Sequence, residues 1–190
     1  MIPTGEEVRR ALSGAVQLAK GDPAGLGWFD FSFDGFWRSF GAMFVAAPGY
    51  AILLIEQYAR TGWPESPFGT IVAEAITYVA GWIAYPVVAM GLTRALGLSN
   101  RYVPLIVVSN WTAVLQVAFY TGVVIVTALM PLQLRTTLFL AATGAVLVYQ
   151  WFTTKTALGS SGGVAAGFVA VDVLLSLLVS RSIDGLLHPA

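Results

Sequence analysis

Residues 102–129, YVPLIVVSNWTAVLQVAFYTGVVIVTAL, run for 28 positions without a charged side chain. At about 1.5 Å per residue such a helix is about 42 Å long, more than the roughly 30 Å of a bilayer's hydrocarbon core. A membrane span that tilts, or whose first turn lies in the interface, accommodates that length. Working outward, four further apolar stretches of similar kind cover about 36–57, 68–93, 134–155 and 160–181. The first contains Pro48-Gly49 and the second Pro86, and a kink at either is tolerable inside a bundle. The connections are short and marked by turn residues: Thr61-Gly62-Trp63-Pro64, Gly97-Leu98-Ser99-Asn100, Pro131 and Gly159-Ser160-Ser161-Gly162.

Composition agrees with hydrocarbon as the solvent. Of 190 residues, 57% are apolar and 11% charged, with mean hydropathy +0.76, against about 25% charged in soluble domains. The expected fold is therefore an all-α integral membrane protein, a five-transmembrane-helix bundle with an N-terminal amphipathic and interfacial helical region. Residues 1–35 form that cytoplasmic segment, 36–181 the membrane domain and 182–190 a short tail.

Several chemistries lack their residues. Ten basic and ten acidic side chains cancel, leaving no field to hold nucleic acid. There is no cysteine, which excludes disulfides, thiolate nucleophiles and iron–sulfur ligation. The single histidine, His188, is third from the end, so intramembrane bis-histidine haem, zinc and Ser-His sites have no ligand or base. No catalytic residue, cofactor or metal ligand is assigned. Asp30-Phe31-Ser32-Phe33-Asp34 offers a DxxxD pair of the magnesium–pyrophosphate kind, but no second acidic cluster accompanies it, and helix capping accounts for these residues.

Near the N-terminus, Glu6, Glu7, Arg9 and Arg10 stand where a signal peptide would begin its apolar core, so the segment is expected to be retained. Thr4 and Glu7 form a capping box, and Val8, Leu12, Ala15, Val16 and Ala19 recur at helical spacing. The short apolar side chains give this helix only weak membrane affinity, so it lies either on the bilayer or beneath the bundle. Gly21-Asp22-Pro23 ends it. Phe29, Phe33, Phe36, Trp37 and Phe40 then fall on one stripe of a helix expected to lie at the headgroup level. Lys20, Arg38, Arg94, Arg101 and Lys155 near span ends on one side, against Arg60, Arg135 and Arg181 on the other, place the N-terminus in the cytoplasm and, with five spans, the C-terminus outside. No internal repeat recurs.

Inside the spans, polar residues are the candidates. Glu74 and Asp172 are the two deep carboxylates, and the cost of exposing them to lipid turns them inward. Counted from the outer ends they share one layer. They serve either as hydrogen-bonding links between helices or as a proton or cation relay. Asn110, Trp111, Tyr149 and Gln150 share a second depth in the cytoplasmic half, and Gln116 lies on the same helix face as Thr112. These join helices or line a small polar pocket. Gly159, Gly163 and Gly167 make two overlapping GxxxG units for close packing against a helix of the same or another chain.

The span layout, with Pro48-Gly49-Tyr50 in the first span and Asn110-Trp111 in the third, resembles the bacterial members of the Yip1 family, small proteins of about five spans with a cytoplasmic N-terminal segment. The DLYGP signature of the eukaryotic relatives is absent, and no functional residue is carried over. The first reading of the chain as a whole is a non-enzymatic inner-membrane scaffold or accessory subunit whose partners are the bilayer and a membrane protein or further copies of itself. The intramembrane carboxylates support an alternative, a small homo-oligomeric transporter or channel subunit handling protons or cations.

Overall fold

The computed structural model describes residues 3–187, with side chains through residue 180, and among these there are only helices and turns. The elements are α1 (Gly5–Ala19), a 3-10 turn (Pro23–Trp28), α2 (Phe33–Ser39), α3 (Ala42–Thr61), α4 (Pro67–Ala95), α5 (Tyr102–Thr127), α6 (Leu132–Leu158) and α7 (Gly162–Leu187). Five helices, α3 (continuing from α2) through α7, are long and apolar enough to cross a membrane. His188 lies outside the described residues. Residues 182–187, expected as tail, continue α7, because nothing before them breaks the helix.

α5 is the hub. It packs on α3 and α6 along its length and carries α1 and α2 against its first half, while α7 sits between α4 and α6. Leu105, Ile106, Val107 and Val108 are all buried. Four consecutive residues sweep most of the way round a helix, so at that level α5 is enclosed on every side. α3 stays helical through Pro48, and at Gly49 it packs closely on α5. A Cβ on Gly49 would stand 2.8 Å from Val117 Cγ1 and 3.2 Å from Thr121 Oγ1. The Thr121 hydroxyl donates to the Gly49 carbonyl at 3.3 Å. At the other end of α5, Arg135 donates to the carbonyls of Thr127 and Ala128 and lies near Glu56, a cation where a helix C-terminus favours one.

The N-terminal segment is built beneath the bundle. The Thr4–Glu7 capping box is present in both directions, and Ala11, Ala15 and Leu18 are buried against the 3-10 turn and the spans α5 and α6. Small side chains on that face permit close packing where long ones would favour lipid. The expected aromatic stripe is interrupted. The chain turns extended after Trp28, Asp30 Oδ1 accepts from the Ser32 N–H at 2.9 Å, and Ser32 caps a new helix. Phe29 is consequently buried while Phe33 is 74% exposed, so these two do not share a face.

Arg38 closes this region, reaching Glu7 and Asp30, each at 2.8 Å. The Ser32 backbone N–H and hydroxyl, with Arg38 adding, hold the Asp30 carboxyl below its ordinary range against an opposing effect of burial. A carboxyl depressed in the folded state gives stability that is complete above its unfolded value of about 3.9 and is lost as pH falls through the folded value. Tryptophan fluorescence titrated downward is therefore expected to report loosening around Trp28 and Trp37 below about pH 4, with the helical signal of the spans retained.

Candidate functional site

α4 and α5 touch only lightly, and α7 fills the gap from the far side. The space left between α4, α5, α6 and α7 is a cavity of about 310 Å³. Its polar groups come from helical repeats on each wall. Ser109, Thr112 and Gln116 follow one face of α5, Gln150 and Thr153 one face of α6, and Asp172 and Ser176 one face of α7. From α4, Tyr85 approaches Asp172. Asp172 Oδ2 accepts a hydrogen bond from Gln150 Nε2. Among the described residues no lysine or arginine lines the cavity, and none forms an ion pair with Asp172.

Toward α1 the cavity is closed. Asn110 Nδ2 donates to Ser39 Oγ at 2.9 Å, and Ser39 donates on to the Phe36 carbonyl at 2.7 Å, which ties the cavity wall to α2. Ala89, Leu105, Ile106, Leu158 and Phe168 form a fully buried apolar floor. Phe168 lies one turn before Asp172 on α7, and Leu105 one turn before Ser109 on α5. A polar chamber thus rests on an apolar layer in register with it.

The structure redistributes the residues chosen from sequence. Asp172, Asn110, Gln116 and Gln150 do line one chamber. Glu74 does not share a layer with Asp172. It accepts from Tyr50 and Tyr58 hydroxyls at 3.1 and 2.5 Å, between α3 and α4. The depth count failed because α7 extends past residue 181; Asp172 lies ten residues, about 15 Å, from its beginning at Gly162. Trp111 and Tyr149 leave the polar group as well. Trp111 packs on the α1 core, and Tyr149 donates to the Ala15 carbonyl at 2.9 Å. Successive helical residues point about 100° apart, so Asn110 and Trp111, or Tyr149 and Gln150, cannot both face one chamber.

The glycine motif is also rearranged. Gly159 is the left-handed cap of α6, φ 59°, a conformation that glycine adopts freely, and so does not belong to the α7 face. A Cβ on Gly163 or Gly167 would meet nothing within 4 Å. The close helix contact is made instead by Gly162, whose carbonyl accepts from Trp151 Nε1 at 2.9 Å. Tyr85, Ser109 and Ser176 were not singled out from sequence. The signal was available for two of them, since Ser109 precedes Gln116 by seven residues and Ser176 follows Asp172 by four, each on one helix face.

No protein-family model, curated protein or solved structure matches the chain. The chain is a five-span membrane protein, and its chamber is interpreted from its own residues alone.

Proposed function

We propose that this is a non-enzymatic membrane protein that admits a small hard cation, a proton or a monovalent metal ion, to the α4–α7 chamber, with Asp172 as the charged ligand and the α1 side cytoplasmic. The observation that carries the proposal is a carboxylate set among neutral oxygen donors that line one chamber, with an amide as its hydrogen-bond partner. A carboxylate at depth with no ion-pair partner among the described residues is costly in a membrane and marks ion pathways. The other donors, the amide oxygens of Gln116 and Gln150 and the hydroxyls of Ser109 and Ser176, are hard ligands of the kind that replace a cation's water. A purely structural link between helices needs no chamber around it.

Proteoliposomes carrying an ion gradient test this, with a pH dye for protons and ion-selective dyes for sodium and potassium. Asp172→Asn is expected to reduce protein-dependent flux about tenfold or more, the loss of one charge-assisted contact of about 1.4 kcal/mol or more. Glu74→Gln should lower flux far less than Asp172→Asn does, since Glu74 lies outside the chamber. Flux equal to protein-free vesicles, or unchanged in folded Asp172→Asn, overturns the proposal. The scaffold alternative is favoured by one feature, the small-residue face of α7 at Gly163 and Gly167 that no described helix covers. It predicts no flux in any variant and a stoichiometric membrane partner after native solubilisation.

A further inference from the structure

α3 and α4 follow one another in the chain, yet they are held apart by side chains. Between them runs a groove of about 430 Å³, open along its length and lined almost wholly by apolar surface, a volume typical of small-molecule sites at roughly 300–1,000 Å³. Its one charged group is Glu74. Tyr50 and Tyr58 each donate a hydroxyl to a different Glu74 oxygen, so α3 holds both oxygens of the group in place.

The surroundings of that carboxylate are aromatic. Tyr50 and Tyr78 lie 4.6 Å apart, Tyr58 and Trp63 5.9 Å apart, both pairs with tilted rings, and all four side chains line the groove. Tyr78 is fixed by donating to the Met43 carbonyl at 2.5 Å. A carboxylate bordered by aromatic rings is the chemistry that recognises an organic ammonium, through charge and through attraction of the cation to the rings. The apolar remainder of the groove suits an alkyl tail.

From this juxtaposition we infer that the α3–α4 groove binds a phosphate-free lipophilic ammonium, its head at Glu74 among Tyr50, Tyr58, Tyr78 and Trp63 and its tail along the apolar walls. Phosphate is excluded by the lining. Among the described residues no lysine or arginine faces the groove, and Arg60 is engaged by Glu56. Glu74 also sits seven residues, about 10 Å, inside the start of α4, a depth at which an unmatched phosphate would be strongly disfavoured. The site is distinct from the Asp172 chamber, although Tyr50 and Tyr78 contribute to both.

Equilibrium binding of radiolabelled dodecyltrimethylammonium to the purified full chain in maltoside micelles tests the inference. Saturable binding of one molecule per chain is expected. Glu74→Gln should weaken it about tenfold or more, while Glu74→Asp, which keeps the charge, recovers part of the affinity. Ala51→Trp fills the groove while leaving the Glu74 side chain itself unchanged and should weaken binding comparably, which covers the case of a Glu74 variant that does not fold. Asp172→Asn should weaken binding far less than Glu74→Gln does, so a failed chamber proposal and a failed groove proposal are told apart. Binding that is unsaturable, that survives both Glu74→Gln and Ala51→Trp in folded protein, or that phosphatidylethanolamine displaces more effectively than a phosphate-free amine overturns it.

Discussion

Phe168→Ala is expected to raise flux through the chamber toward the α1 side while lowering stability by about 3 kcal/mol. Phe168 is 1% exposed and is the largest of the fully buried side chains. It occupies the apolar floor one turn from Asp172. Apolar constrictions block ions because water does not enter them, and truncation to a methyl group removes most of the side chain that excludes it. The cost stands at the low end for Phe→Ala because in lipid the loss is one of packing more than of transfer from water. Vesicle flux and thermal unfolding should move in opposite directions, flux up and midpoint down. Phe168→Leu, which keeps the floor apolar and most of its volume, should stay close to wild type in flux. A folded Phe168→Ala protein as tight as wild type would show that the floor does not seal the chamber.

The second large effect concerns the segment below the bundle. Gly14 and Gly25 bring α1 and the 3-10 turn together so closely that a Cβ on Gly25 would stand 2.7 Å from the Gly14 carbonyl oxygen, and one on Gly14 2.8 Å from that of Gly25. Neither obstacle is a flexible side chain; both are backbone. Gly25→Ala is expected to cost about 3 kcal/mol, the upper part of the range for overpacking, and to free the 3-10 turn from α1. Limited trypsin digestion reads this as faster cleavage after exposed Lys20, with the spans still intact. Gly27→Ala, where a Cβ meets nothing within 4 Å, is the neutral control. Because the two close glycines meet each other, the double substitution should cost less than the sum of the single ones.

Residue type and period carried most of the fold. The uncharged run at 102–129, the turn residues between spans and the Thr4–Glu7 box each act locally, and the elements that they define appear near the expected positions. What was not legible is what depends on a neighbour. Whether Glu74 and Asp172 meet depends on where α7 ends and on which helix lies beside which, and no single-helix period contains that. Tyr58 illustrates the limit. It reaches Glu74 across sixteen positions and a turn, and nothing in its local sequence separates it from any other interfacial tyrosine. The four-residue group at 110–111 and 149–150 failed for a simpler reason, because depth was used without azimuth. The aromatic run from Phe29 to Phe40 matched a helical repeat, yet Asp30 and Ser32 satisfied backbone donors locally and restarted the helix, as short polar side chains do at turns.

Tyr50 and Tyr78 stand as a shared partition, lining both the Asp172 chamber and the Glu74 groove. Two compartments with a common wall have linked occupancies: a guest that shifts these rings on one side changes the room and the hydroxyl positions on the other. Thermodynamic reciprocity then requires that each guest alter the other's affinity by the same factor. Titrating either site with the other one filled measures that factor directly, and removing the Tyr50 ring should bring it toward unity.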